Sequence, residues 1–185
     1  MKTLPALAIL AAISGNVSAE NYFINLSAGS TSVEIGEDSS KHSITSSEIS
    51  FGQYVRPDIA VEISYTELGT TSTTITNADS SSTKLAYDNS ASKVVLSKYF
   101  DLNETYKLSA HGGGIIIVQN TTTKKYDTTG SLTSTVEDSS RSNKIYLGLG
   151  LSYKYQNSLI TLRHERYKSD LQDFETTLLG VQFNL

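Results

Sequence analysis

From Asn21 onward the chain alternates apolar and polar residues in short runs, a period of two that reads as strand, and no long stretch repeats every 3.6 residues as a helix would. In "NYFINLSAG", Tyr22, Ile24, Leu26 and Ala28 share one face and Asn25, Ser27 and Gly29 the other. "SEISFGQYV" follows, then a break at "RPD" around Pro57, then "IAVEISYTEL", where Ile59, Val61, Ile63 and Tyr65 oppose Ala60, Glu62, Ser64 and Thr66. "ASKVVLSKYF" leads through "DLNE" into "TYKLSAHGGGIIIV"; the pattern does not orient residues 91–100. The strongest alternation is "KIYLGLGLSYKY", which sets Ile145, Leu147, Leu149, Leu151, Tyr153 and Tyr155 against Tyr146, Gly148, Gly150, Ser152 and Lys154. A "QNS" turn returns the chain as "LITLRHERYK", and "FETTLLGVQFNL" ends it. The set amounts to about eight strands, each long enough to cross a bilayer as part of a barrel.

The links between these runs alternate in length. "RPD", "DLNE" and "QNS" are short, whereas "STSVEIGEDSSKHS", "TTSTTITNADSSSTK" and "NTTTKKYDTTGSLTSTVEDSSRS" are long and polar. Short turns on one rim and long loops on the other suit an up-and-down barrel that crosses a membrane. A two-sheet sandwich needs both inner faces apolar, and here the second parity is mostly Gly, Ser and charge. The pattern therefore predicts an all-β, eight-stranded antiparallel transmembrane barrel, apolar outside and polar inside. Tyr153, Tyr155, Tyr99, Phe100, Tyr106 and Phe183 cluster at the short-turn rim, where an aromatic belt is expected to meet the headgroups.

The first nineteen residues break the pattern. "MKTLPALAILAAISGNVSA" has Lys2, an apolar run from Leu4 to Ile13 and a small-residue ending at Val17-Ser18-Ala19. That reads as a secretory signal peptide cleaved after Ala19, leaving residues 20–185 as one barrel domain; the apolar run is too short to span a bilayer.

Composition trims the remaining options. The 185 residues contain no cysteine, which removes disulfides and thiolate metal sites. A net charge of -4 gives no basic surface for nucleic acid. A hydrophobic share of 38% is low for a soluble core, but suits a barrel whose apolar residues form one outer layer.

With "ISFGQYVRPDIAVEISYTELG", "VVLSKYFDLNETYKLSAHGGGI", "SLITLRHERY" and the closing "GVQFNL", the chain resembles the small eight-stranded outer-membrane β-barrels of Gram-negative bacteria, the opacity-protein and OmpA-barrel-like group. The resemblance covers residues 20–185. It implies location in the outer membrane, short turns in the periplasm, and a monomer assembled by the barrel-assembly machinery. It also implies an assembly signal in the last strand, carried here by Gly180, Phe183 and Leu185, with Leu185 where phenylalanine is more usual.

Candidate site residues are few. Parity points Glu62, Lys107, Lys154, Arg163 and Glu165 into the lumen, with Glu62 and Arg163 at similar heights. An interior this narrow is filled by its own side chains, and a charge held there needs a partner, so the five are expected to form a luminal ionic plug rather than a gated path. Lys84, Lys93, Arg141, Lys144, Arg166 and Lys168 stand near the loop bases, where they could solvate the strand ends or meet lipopolysaccharide phosphates.

His42, His111 and His164 are scattered without acidic partners at metal-ligand spacing. "HERY" puts Arg166 where lipid-A deacylases, themselves barrels, carry a His-x-Ser serine, and "HGGGI" lies within a strand rather than before a nucleophile turn. No catalytic residue and no cofactor is assigned. The expectation is a non-enzymatic outer-membrane barrel serving envelope integrity or surface contact through polar loops, with outer-membrane lipid and a surface receptor as partners. A small-solute, porin-like channel is the second reading and a lipid-A-modifying enzyme the third.

Overall fold

The computed structural model describes residues 21–35, 40–168 and 173–185. The signal-peptide expectation falls on residues outside that set. Eight strands form in chain order: β1 (Tyr22–Ile35), β2 (Ser40–Arg56), β3 (Ile59–Thr76), β4 (Ser82–Asp101), β5 (Tyr106–Tyr126), β6 (Leu132–Tyr155), β7 (Ser158–Lys168) and β8 (Asp173–Asn184). Each pairs antiparallel with its neighbour, and β1 pairs with β8 to close the ring. No helix among the described residues is long and apolar enough to cross a membrane. The crossing elements are strands, because closure satisfies every backbone hydrogen bond that lipid cannot.

The alternation read from the sequence is the alternation of the wall. Ile145, Leu147 and Leu149 point outward with 80%, 70% and 62% of their surface open, while Tyr146 between them is buried. On β8, Leu179 and Phe183 face out, and Leu178 and Gln182 face in. The last strand is held on both sides: Ile24 pairs with Phe183, Ser158 also pairs with Phe183, and the Leu185 amide donates to the Tyr22 carbonyl at 2.9 Å. The register also orients residues 91–100, with Ala91, Lys93, Val95, Ser97 and Tyr99 inward and Val94, Leu96 and Phe100 outward.

Two expectations change. The long polar links are not irregular loops: the β3–β4 ladder continues to Thr76↔Ser82 and the β5–β6 ladder to Tyr126↔Leu132. Ser and Thr carry their polar groups while keeping the branched or compact shape that a strand exposed on both faces tolerates. Each hairpin ends in a five-residue turn of the same construction. The Asn77 amide donates to the Ser81 carbonyl and the Asp127 amide to the Ser131 carbonyl, with Ser80 and Gly130 in the left-handed region at φ 66° and 81°. The aromatic belt also loses a member. Phe100, Tyr106, Tyr153, Tyr155 and Phe183 stand outward on the short-turn side, but Tyr99 is buried inside the ring. Its ring centroid lies 5.7 Å from that of Tyr54, in a cluster with Phe23 and Ala60.

Candidate functional site

The lumen is built in three layers. At the short-turn end Phe23, Tyr54, Ala60 and Tyr99 pack together, and Gln182 Nε2 donates to the Tyr54 hydroxyl at 2.8 Å. A glycine at position 52 makes room: a Cβ there would meet the Phe23 ring at 2.2 Å. At the hairpin end a larger apolar cluster includes Val33, Leu68, Ile115, Tyr146, Tyr167 and Phe174. The interior is therefore not the uniformly polar lumen that the alternation suggests: apolar clusters flank its middle, alongside buried polar side chains such as Gln119, whose Nε2 donates to Asn89 Oδ1 at 2.9 Å on the hairpin side.

Between the two apolar layers lies a compact ionic cluster. Arg163 Nη1 contacts Glu48 Oε1 at 3.2 Å and Glu62 Oε2 at 3.3 Å, and its Nη2 lies 3.1 Å from Glu165 Oε1. Lys93 pairs with Glu48 and, at 2.6 Å, with Glu165, and its ammonium sits 5.4 Å from the centroid of the Tyr146 ring. Three carboxylates thus share two cations. Hydroxyls supply further donors: Thr66 Oγ1 to Glu48 at 2.7 Å and Ser97 Oγ to Glu62 at 2.6 Å. Charges removed from water are tolerated when each is paired and hydrogen-bonded; all five charged side chains here are ion-paired, while Arg163 Nε and Nη2 and Glu165 Oε1 have no hydrogen-bond partner among the described residues.

Of the five residues expected to plug the lumen, Glu62, Arg163 and Glu165 belong to this cluster. Lys107 and Lys154 do not. Lys107 pairs with Asp101 at 3.0 Å near the short-turn rim, and Lys154 is exposed there, so both line a shallow cavity at the mouth. Their parity is inward, but they sit too close to the strand ends to reach the centre, and water solvates them instead. The two missing members are Glu48 and Lys93. The sequence places Lys93 near a loop base, solvating a strand end or meeting lipopolysaccharide phosphate; instead it is fully inside, its side chain 0% exposed. Glu48 alternates with Ile49 in a segment whose inward parity is plain in "SEISFG", so its place was readable. For Lys93 the neighbours Val94 and Val95 are alike in polarity, and the alternation fails.

The other basic residues divide. Lys84 stands exposed on the β4 part of the hairpin, and Arg141 and Lys144 lie on β6 above the barrel wall. Arg166 faces outward and approaches Glu175 at 3.7 Å. The side chain of Lys168 lies outside the described set. In the last strand Gly180 faces inward, where a Cβ would meet Ser27 Cβ at 2.6 Å, while Phe183 and Leu185 are exposed on the outer side.

Two of the histidines lie on opposite sides of the wall. His164 faces out and lies 3.0 Å from Thr177 Oγ1. His111 is inside, 2.8 Å from Ser97 Oγ through Nδ1 and 2.9 Å from Ser109 Oγ through Nε2. Glu62, Ser97, His111 and Ser109 therefore form one hydrogen-bonded chain that no sequence motif announces. Ser97 and Ser109 are buried to 0% and 1% exposure, so the chain braces the plug and offers no hydroxyl to a substrate. Among the described residues no group of His, Asp or Glu is arranged to hold a metal ion.

No family model matches the sequence, and no curated protein matches it. Solved structures do match. Ail, the attachment invasion locus protein of Yersinia pestis, aligns over 89% of this chain and 99% of its own at 16% identity, with a TM-score of 0.57. Neisserial surface protein A aligns over 92% and 100% at 16% identity, with a TM-score of 0.57. The N-terminal β-barrel domain of Pseudomonas aeruginosa OprF aligns over 88% and 97% at 14% identity, with a TM-score of 0.55. At these identities the likeness is one of fold, and it agrees with the closed ring, the outward apolar face and the strand lengths: the chain is an eight-stranded transmembrane β-barrel with the fold of the small outer-membrane barrels.

Proposed function

We propose that this chain is a non-enzymatic outer-membrane protein that closes its own lumen and holds a four-stranded sheet above the membrane for contact with a partner outside the cell. The observation that carries this reading is where the ladders stop. β2 and β3 part after Ser47↔Glu67, and β6 and β7 after Leu147↔Arg166, whereas β3, β4, β5 and β6 stay paired to the hairpin tips. β6 is 24 residues long, and a strand needs only about 9–11 to cross a bilayer. Among the described residues, 132–146 pair on the β5 side alone, and residues 132–141 are all exposed. An open strand edge is a template for an extended segment of another chain, and main-chain hydrogen bonds would supply its affinity. Glu137, Asp138 and Arg141 on that edge discourage promiscuous pairing and favour a partner with a complementary charge pattern. The Yersinia pestis protein of like fold is named for attachment and invasion; for this chain the contact role rests on the sheet.

The channel reading has little to support it, because the two apolar layers and the ionic layer occupy the interior of a narrow ring. Topology and exposure are tested with single cysteines in a chain that has none. In intact cells a membrane-impermeant maleimide should label Ser139→Cys on the β6 edge and spare Asn157→Cys in the short turn until the outer membrane is opened. Labelling of Asn157→Cys first would reverse the orientation and remove the surface sheet.

A further inference from the structure

The hydrogen-bonding phase of β6 fixes which groups its open edge offers. The Lys154 amide donates to the Thr105 carbonyl at 2.7 Å, so even-numbered residues of β6 turn their backbone groups toward β5. The β5–β6 register runs without a shift from Tyr153 to Ser134. Thr135, Glu137, Ser139, Arg141 and Asn143 therefore point their amides and carbonyls away from β5, to the side where no described strand pairs with them. Their side chains share the outward parity of Ile145 and Leu147. Glu137 and Arg141 are both exposed, and neither has an ion-pair partner among the described residues.

Such an edge is complementary to a second copy of itself. In an antiparallel pair related by a two-fold axis, the register is set by the residue that faces its own counterpart. With Ser139 opposite Ser139, Glu137 falls opposite Arg141 and Arg141 opposite Glu137, giving two attractive pairs on one face. Neighbouring registers lose this match. Centring on Asp138 sets that carboxylate against its own copy, and centring on Ser140 leaves Glu137 facing Asn143 and Arg141 facing Ser139. Centring on Glu137 or Arg141 opposes like charges, which destabilises a ladder. In the single chain the Ser139 amide donates to its neighbour Asp138 Oδ1 at 2.8 Å, a cap that blunts the edge toward unmatched strands. On pairing, the carbonyl of the opposite Ser139 replaces the cap, and Asp138 comes to lie across from a Ser140 hydroxyl.

The direction of the strands decides where the second copy stands. β6 descends from its hairpin end at Leu132 to the short turn at Tyr155, so two copies in one membrane have parallel β6 strands. Antiparallel edges require barrels in two facing membranes. A neighbour in the same membrane could offer β3, which runs the other way, but its stretch from Thr70 to Thr76 has no charged residue to meet Glu137 and Arg141. We propose, resting on the surface sheet argued above, that the β6 edge is a homophilic contact: two copies of this chain on opposed outer membranes join their sheets antiparallel about Ser139. A single edge is short and weak, and many copies on two facing surfaces hold together by avidity.

The test uses outer-membrane vesicles from cells with truncated lipopolysaccharide, which keep the native orientation and let two surfaces approach. Folding is read from heat-modifiable gel mobility, and display from maleimide labelling of reduced Ser139→Cys. Vesicles carrying the wild type should cluster, measured by energy transfer between two dye-labelled populations, and vesicles without the chain should not. Glu137→Arg alone and Arg141→Glu alone each oppose like charges twice, and each should lower clustering about tenfold. A mixture of the two variants should regain the wild-type level, because one then presents two arginines to the other's two glutamates. Oxidised Ser139→Cys should give a disulfide-linked dimer and Thr135→Cys should not, since directly opposed Cα atoms stand about 5.5 Å apart. Clustering insensitive to both single variants, or not restored by mixing them, overturns the contact. A Ser139→Cys dimer without clustering puts both copies in one membrane and overturns the facing arrangement. Folded barrels that label at Ser139→Cys yet never cluster overturn self-pairing and leave the surface sheet standing; folded barrels that do not label remove the sheet, and the contact with it.

Discussion

Arg163 Nη1 stands 3.3 Å from Glu62 Oε2 across the lumen, although 101 residues separate the two in the chain. The pair is one edge of a larger cluster, since the same guanidinium touches Glu48 and Glu165. Replacing Arg163 with alanine leaves three buried carboxylates facing Lys93 alone. The barrel should lose about 3–5 kcal/mol, the usual cost of stranding a buried charge. Arg163→Met combined with Glu62→Gln should lose less, because it removes one charge of each sign. Urea unfolding in lipid vesicles gives both values; strictly additive losses would mean that the two side chains are not coupled.

The outer and inner faces of β6 respond to substitution for different reasons. Leu149→Arg puts a charge on the lipid side, at a cost of about 2–4 kcal/mol near the bilayer centre. Gly148→Ser would be harmless in a roomy polar lumen, but the lumen is not roomy there: a Cβ would stand 2.9 Å from the His164 carbonyl and 3.0 Å from Glu165 Cγ. Both variants should reduce folding yield, whereas Gly114→Leu on the neighbouring strand should not, because a Cβ there meets nothing within 4 Å. A Gly148→Ser protein that folds like the wild type would show that β6 and β7 can separate without penalty.

Removing Val181–Leu185 should abolish assembly. The deletion strips β8 of its pairing with Ile24 and Leu26 on β1 and with Ser158, Leu159 and Ile160 on β7, reopening the ring in lipid. Each backbone group left unpaired there costs several kcal/mol. Urea extraction of membranes followed by gel mobility decides the matter: a truncated chain that stays membrane-embedded and folded would contradict the requirement for closure.

The unmodified barrel should carry no steady current in a planar bilayer. Replacing both Tyr54 and Tyr99 with alanine removes most of the apolar layer at the short-turn end while leaving the ionic layer in place. Current should therefore stay near zero in that variant and appear only when Arg163→Ala is added, as water enters to solvate the freed carboxylates. A large current from the wild type would promote the channel reading.

The Asp127 carboxylate anchors the β5–β6 turn. It accepts the amides of Thr129 and Ser131 at 2.9 Å and the Thr129 hydroxyl at 2.6 Å, and the Thr129 hydroxyl bond, first among these, holds its pKa below the ordinary aspartate value. A depressed pKa means the contribution to turn stability is complete above the unfolded-state value and fades as pH falls through the folded one. The Thr129 and Ser131 amide resonances should shift together below the normal aspartate range, and Asp127→Ala should abolish the transition. A midpoint at or above the ordinary value would show that these hydrogen bonds do not form in solution.

The alternation in "KIYLGLGLSYKY" and "FETTLLGVQFNL" settled which side chains face lipid, since a strand with one face in hydrocarbon cannot slip by one residue without reversing every side chain. The inward parity of Glu62, Arg163 and Glu165 was legible for the same reason. The destinations of Lys93, Lys107, Lys154 and Tyr99 were not. Parity gives a face but not a height, and height depends on the tilt and stagger of strands that meet only on closure. The tertiary structure therefore decided that Glu48 and Lys93 complete the charged layer while Lys107 and Lys154 remain in water at the mouth. It also decided that the Ser- and Thr-rich links rise as paired strands, because a hairpin exposed on both faces has no apolar pattern to announce it. Its order comes from a ladder of backbone hydrogen bonds continued without a break from the barrel strands below.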